Sequence, residues 1–166
     1  VFSLSWATTD LGFARRDLLI MQLFSVFFFG ISIPISALLA DRFGRRLVLS
    51  IVSVAIALFG LSFSLFLGSG NSTLITVFLC LGMTLMGLTY GPLGTFLSEL
   101  FPTQVRYSGA SITFNSAGII GAAFAPIIAI WIAKNYGITY VGVYLSVAAI
   151  ITLCSLLLIS KKEHQF

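Results

Sequence analysis

Charge is what this sequence has least of. Lys, Arg, Asp and Glu make up 8% of its 166 residues, where a soluble globular domain carries roughly a quarter. With hydrophobic residues at 58%, folding in water is excluded, and membrane spans rather than soluble domains set the scale. Histidine occurs once, as His164 in a polar tail, and the two cysteines, Cys80 and Cys154, lie inside apolar runs without CxxC spacing or a neighbouring His or carboxylate. That excludes a zinc site and a disulfide framework. The apolar runs contain no HExxH string and no paired carboxylates, so an intramembrane enzyme would lack its working groups. No catalytic residue, cofactor or metal is expected. The formal charge of +4 carries no nucleic-acid signature, because the basic residues sit mainly in short connections, where they set orientation. The chain opens on Val1 without the basic flank or the small-residue cleavage site of a signal peptide, and it reads as a fragment.

Residues 18–40, 47–68, 74–97, 108–133 and 138–160 contain no Asp, Glu, Lys, Arg or His. Each reaches the roughly 20 residues that cross a hydrocarbon core of about 30 Å as a helix. Transmembrane strands are about half that length and alternate in polarity, whereas residues 24–29 and 153–159 are near-continuous apolar blocks. Helices also satisfy their backbone groups within the segment, which lipid demands. The expectation is an all-α integral membrane protein: an antiparallel transmembrane helix bundle of five complete spans plus the remnant of a sixth, forming a single membrane domain over residues 1–166. Residues 1–17 read as the remnant and an outer loop, and 161–166 as a cytoplasmic tail.

Short connections at 41–46, 69–73, 98–107 and 134–137 imply antiparallel neighbours. Arg42, Arg45, Arg46, Arg106, Lys161 and Lys162 fall on one side, against Arg15, Arg16 and Lys134 on the other, which makes the carboxyl terminus cytoplasmic. Trp131, Tyr136 and Tyr140 cluster where the outer interface is expected.

Two charged segments narrow the class. Leu39-Ala40-Asp41-Arg42-Phe43-Gly44-Arg45-Arg46, between two spans, resembles the loop pattern G-x-L-x-D-R-x-G-R-R/K of the major facilitator superfamily, with Ala37 where Gly is usual. Gly91-Pro92-Leu93-Gly94-Thr95-Phe96-Leu97-Ser98-Glu99-Leu100-Phe101-Pro102-Thr103-Gln104-Val105-Arg106 resembles the end of the tenth span and the following loop. With Tyr107-Ser108-Gly109-Ala110-Ser111 after it, the wording is similar to the metabolite:proton symporter branch, which includes carriers of proline and betaine, shikimate, oxoglutarate and citrate. The resemblance implies the carboxyl-terminal half of a transporter, spans eight to twelve with a remnant of seven. Its partners would be the lipid bilayer, the missing amino-terminal half and a small organic solute. The implied activity is secondary active transport of a carboxylate or zwitterionic compatible solute across a bacterial inner membrane, proton-coupled in the intact parent. No span holds an ionisable residue at depth, so the coupling group is expected outside this stretch. The alternative is a non-transporting membrane remnant or an interaction protein.

The resemblance also implies site residues. Asp41, Arg42, Gly44, Arg45, Arg46, Glu99 and Arg106 are expected to form a cytoplasmic gate, a charge network closed in the outward-open state. Arginine forks hold carboxylates bidentately, with Glu99 as the mate, while Asp41 is placed to reach the amides of a helix start. Solute contacts then fall to uncharged polar groups in the spans: Asn115 first, then Gln22, Tyr90, Thr113 and Thr95. Small residues at Gly87 and Gly91, and at Ala117, Gly121 and Ala125, predict close helix contacts. Pro34, Pro92 and Pro126 each interrupt a span and free a carbonyl that something must satisfy.

Overall fold

The structure, a computed structural model, describes residues 7–8, 14–68 and 71–163, and the elements formed there are all helices. They are α1 (Arg15–Phe43), α2 (Arg45–Leu61), α3 (Phe63–Leu67), α4 (Ser72–Glu99), α5 (Arg106–Tyr136) and α6 (Ile138–Glu163). The expected remnant at 1–17 lies mostly outside the described residues, as do Ser69, Gly70 and the end of the tail from His164. Four helices, α1, α4, α5 and α6, are long and apolar enough to cross a membrane.

The fifth expected span is broken. Residues 47–68 do not form one helix: α2 has 17 residues and α3 has 5, separated at Ser62. Ser62 N–H donates to the Phe59 carbonyl at 3.1 Å and its hydroxyl donates to the same oxygen at 2.7 Å, a tight turn that interrupts the regular ladder. Gly60 two residues earlier lowers the resistance to bending, since Gly and Ser are common at kinks. At about 1.5 Å per residue the two pieces still reach across a hydrocarbon core.

The charged flanks do not form the expected loops either. Helix α1 runs on through Asp41 and Arg42, and α2 starts at Arg45, so the predicted connection 41–46 shrinks to Gly44. Likewise 134–137 shrinks to Gly137. These two glycines, at φ 93° and 95°, are the positive-φ residues among the described ones. A side chain there would clash with its own backbone, so glycine lets the chain reverse within one residue. Each also closes the preceding helix, Gly44 N–H on the Ala40 carbonyl at 2.9 Å and Gly137 N–H on Ala133 at 3.0 Å. Helix α4 opens conventionally, with the Asn71 side chain accepting from Thr73 N–H at 2.9 Å.

Two helix pairs dominate the packing, α1 with α4 and α2 with α6. In the first, Ser25, Ser32 and Ser36 of α1 are buried and pack toward Cys80, Gly87 and Gly91 of α4. A Cβ on Gly91 would lie 2.7 Å from the Ile33 carbonyl, and one on Gly87 2.6 Å from that of Phe29. In the second, Gly60 and Gly142 bring their backbones together, and the Ser146 hydroxyl donates to the Ala57 carbonyl at 2.7 Å. A core of Phe63, Leu67, Ile75, Phe78, Ala129, Ala133 and Val141 joins the elements at one end, with Phe59 stacked on Phe78 at 4.7 Å. The second predicted small stripe is not used in this way: Ala117 is exposed, and added Cβ atoms at Gly118 and Gly121 meet nothing within 4 Å.

Pro92 shows how a freed carbonyl is satisfied. Its ring removes the N–H that would bond the Leu88 carbonyl four residues earlier, and the fully buried Ser36 hydroxyl of α1 donates to that oxygen instead. Ser36→Ala should therefore leave the half-buried Leu88 carbonyl without this donor, at a cost of roughly 1–3 kcal/mol. With Pro92→Ala the α4 ladder can close by itself, and the same Ser36 substitution should cost much less. Thermal unfolding of the four proteins in detergent checks this; equal losses in both backgrounds would exclude the pairing.

Candidate functional site

The charged end of the bundle is assembled from residues far apart in sequence. Asp41 closes α1, Arg45 and Arg46 open α2, and Glu99 ends α4. Because Gly44 is the single residue between α1 and α2, Arg45 enters its helix with its side chain directed back across the end of the bundle. Its Nη1 donates to Glu99 Oε1. Its Nη2 lies 3.8 Å from Asp41 Oδ1. One guanidinium thus stands between two carboxylates of different helices, with a single contact to each rather than the expected bidentate hold of one. The side chains of Arg45, Glu99 and Asp41 are 31%, 52% and 68% exposed, so water screens the pairs and each contributes about 0–1 kcal/mol.

The other members of the predicted network are held elsewhere. Arg46 Nη2 donates to the Leu156 carbonyl and, at 3.5 Å, to that of Leu157, both on α6. Arg42 lies over the Phe43 ring, 5.4 Å from its centroid. Arg106 does not meet Glu99; its Nε donates to the Phe101 carbonyl at 3.4 Å, within its own connection. Nor does Asp41 cap the α2 start, which has no side-chain cap; Arg45 offers the carboxylate a full charge instead of a partial dipole. A cavity of about 440 Å³ lies within this end, lined by Ala40, Asp41, Gly44, Arg45, Arg46, Phe96, Glu99 and Ile159.

A second cavity, of about 560 Å³, runs between the end of α4 and the first turns of α5. Arg106, Tyr107, Ser98, Thr103, Ser111 and Asn115 give it polar groups, and Leu97 and Phe114 give it apolar walls. Asn115 donates to the Ser111 carbonyl at 2.8 Å and to the Ser111 hydroxyl at 3.3 Å, leaving its own carbonyl oxygen able to accept. The remaining polar candidates are spread over three helices. Gln22 is half-buried on α1, Tyr90 is exposed on α4 with its ring edge-on to Phe29 at 5.7 Å, and Thr95 and Thr113 are exposed on α4 and α5. Asn115 and Arg106 share one cavity.

Sequence reasoning missed Ser36, the Gly60–Gly142 contact and the reach of Arg46. For Ser36 a signal existed: Ser25, Ser32 and Ser36 lie on one helical face, and a buried hydroxyl stripe calls for a complementary small-residue stripe such as Gly87 and Gly91.

The chain is similar to known proteins over most of its length. The Major Facilitator Superfamily profile matches residues 1–165. The inner membrane metabolite transport protein YhjE of Escherichia coli strain K12 is 49% identical over 165 residues, covering 99% of this chain and 38% of that protein. A putative metabolite transport protein of Haemophilus influenzae is 46% identical over 137 residues, 82% of this chain and 31% of the relative. The glycine betaine/proline/ectoine/pipecolic acid transporter OusA of Dickeya dadantii is 32% identical over 121 residues, 72% of this chain and 24% of the relative. The chain thus spans less than two fifths of the length of each of these relatives. No solved structure is a significant match.

Proposed function

The chain belongs to the major facilitator superfamily, and on that premise we propose that it is the carboxyl-terminal half of a secondary transporter for a small organic metabolite. The solute is a carboxylate or a zwitterionic compatible solute, carried across a bacterial cytoplasmic membrane. Transport requires the amino-terminal half, because solute sites in such carriers lie at the interface of two repeats that rock about it. Proton coupling is carried by an ionisable group outside residues 18–40, 47–68, 74–97, 108–133 and 138–160, which have none. The basic end faces the cytoplasm, as the arginine excess favours.

The observation that carries this reading is the meeting of the two charged segments at Arg45. The segments resemble the superfamily's loop patterns, and in the fold they converge on one end of the bundle. The cluster of Asp41, Arg45 and Glu99 serves as the inner gate. Gly44 supplies the reversal that presents Arg45, and Arg42, Arg46 and Arg106 flank it. A few tenths to about 1 kcal/mol is a small energy, yet it shifts a conformational equilibrium that is itself balanced within a few kcal/mol. Asn115, followed by Gln22, Tyr90, Thr113 and Thr95, contacts the solute. Resemblance to OusA, named for betaine and proline transport, supports the zwitterionic class.

Uptake of radiolabelled glycine betaine, proline and a dicarboxylate by cells producing the full-length protein that carries this sequence tests the reading. Uptake of one of them, abolished by a protonophore, is expected. Asn115→Ala should raise KM for that solute more than it lowers the maximal rate. A protein that is inserted and moves none of the three under any gradient would point to the non-transporting alternative.

A further inference from the structure

Arg45 and Arg46 are neighbours, yet they hold different partners. About 100° of helical rotation separates adjacent residues, so one side chain turns toward α1 and α4 and the other toward α6. Arg46 is half-buried and reaches the carbonyls of Leu156 and Leu157, 110 positions away in sequence. These two acceptors are neutral backbone oxygens. A carbonyl has two lone pairs, so each oxygen can keep its own helical bond and still accept from the guanidinium.

Packing fixes one side of the first turn of α2, where Val48 is buried in a cluster with Ala40 of α1 and the adjacent Leu49 is buried as well. The cavity of about 440 Å³ lies beside Gly44, Arg45 and Arg46 and is bounded by Phe96 of α4 and Ile159 of α6. The side of the turn at residues 44–46 therefore borders open space, opposite in character to the packed Val48. At its far end α2 is fastened to α6 by the Gly60–Gly142 contact and the Ser146 bond to Ala57. At its near end Arg46 reaches α6 through the Leu156 and Leu157 carbonyls.

We infer that Arg46 is a positioning residue: by bonding the Leu156 and Leu157 carbonyls it straps the first turn of α2 to α6 and so holds Arg45 against Glu99. The inference rests on the proposed gate for its use in transport, but the strap itself is a structural relation that can be measured separately. Its order of dependence is one-way. Loss of the strap frees Arg45, whereas loss of Glu99 leaves the strap in place.

Spin labels on the full-length protein in lipid read this directly. Leu47, on the first turn of α2, Leu100, beside Glu99, and Leu158, beside the strap's acceptors, are exposed and take labels. The pair 47–158 reports the strap and the pair 47–100 reports the ion pair. Arg46→Gln should broaden both distance distributions. Arg46→Lys, which keeps the charge and hence the membrane orientation but lacks the planar fork, should broaden both to a lesser degree. Glu99→Gln should broaden 47–100 alone. If 47–158 stays as narrow in both Arg46 variants as in the parent, or if Glu99→Gln broadens it as strongly as Arg46→Gln does, the inference is wrong. Should Glu99→Gln transport like the parent while the distances behave as expected, the gate fails and the strap stands.

Discussion

Gly142→Ala is expected to be among the most destabilising single substitutions in this chain. A methyl at that position would lie 2.0 Å from the Gly60 carbonyl oxygen and 2.9 Å from Phe63 Cβ. No rotamer change relieves the first contact, because both partners are backbone, so α2 and α6 must move apart along their whole seam. Overpacking of this kind costs about 1–3 kcal/mol and sometimes more, against a gain of up to about 1 kcal/mol from the better helix propensity of alanine. Clash wins. Separation would also pull the Ser146 hydroxyl from the Ala57 carbonyl. Gly60→Ala should behave alike, since its Cβ would meet the Gly142 carbonyl at 2.6 Å and Ser146 Oγ at 2.3 Å. Gly118→Ala and Gly121→Ala supply the controls: with nothing within 4 Å of the added atom, neither should strain the packing seen here. Melting of the detergent-solubilised protein measures all four. An unchanged midpoint for Gly142→Ala would mean that the seam is looser than described.

Charge reversal at Arg45 should have the largest effect on transport. Arg45→Glu places a third carboxylate between Asp41 and Glu99, replacing two attractions by two repulsions at one point. Each exposed pair contributes about 0–1 kcal/mol, so the swing is on the order of 1–3 kcal/mol, or roughly a fivefold to hundredfold change in the closed-to-open ratio of the gate. Glu99→Arg should be similarly damaging alone. Combining the two restores the attraction between α2 and α4 in reversed sense, though not the contact with Asp41, whose carboxylate would now face Glu at 45. Partial rescue of the transport rate by the double variant is therefore expected. Uptake rates of the four proteins, corrected for the amount in the membrane, decide it; a double variant no better than the worse single one would show that the two residues do not act as a pair.

The membrane class and most of the helices were legible because long uncharged runs have few physical solutions in lipid. Residues 18–40, 74–97, 108–133 and 138–160 each lie within one helix. Helix ends were less legible. Runs were bounded by charge, but a charged residue does not end a helix at the membrane surface, where water meets its head group, so α1 continues through Asp41 and Arg42 to the glycine that reverses the chain. The break at Ser62 was hidden for another reason. The uncharged run 47–68 is long enough for one span, so neither the approach of Gly60 to Gly142 nor the local turn at Ser62 leaves a mark in its length or charge.

The site was legible by type and less so by partner. Arg45, Asp41 and Glu99 were nameable because they stand in the two charged segments that resemble the superfamily's loop patterns. Arg46 was grouped with them on charge, whereas it reaches the Leu156 and Leu157 carbonyls, backbone groups that every residue has and no sequence pattern distinguishes. Arg106 sits seven residues beyond Glu99, yet the turn through Phe101–Val105 ends with its guanidinium on the Phe101 carbonyl. Ser36 escaped because its acceptor exists only as a consequence of Pro92, on a different helix.

Access to the interior from the basic side is the property that the Asp41–Arg45–Glu99 cluster is held to control. Thr95 lies one turn inside Glu99 on α4 and is exposed, so Thr95→Cys in the full-length protein, in a background free of other reactive thiols, reports that access. Labelling by a membrane-impermeant maleimide applied to inverted vesicles is expected to be slow in the parent and several times faster with Glu99→Gln. Equal labelling rates in the two proteins would contradict the gate.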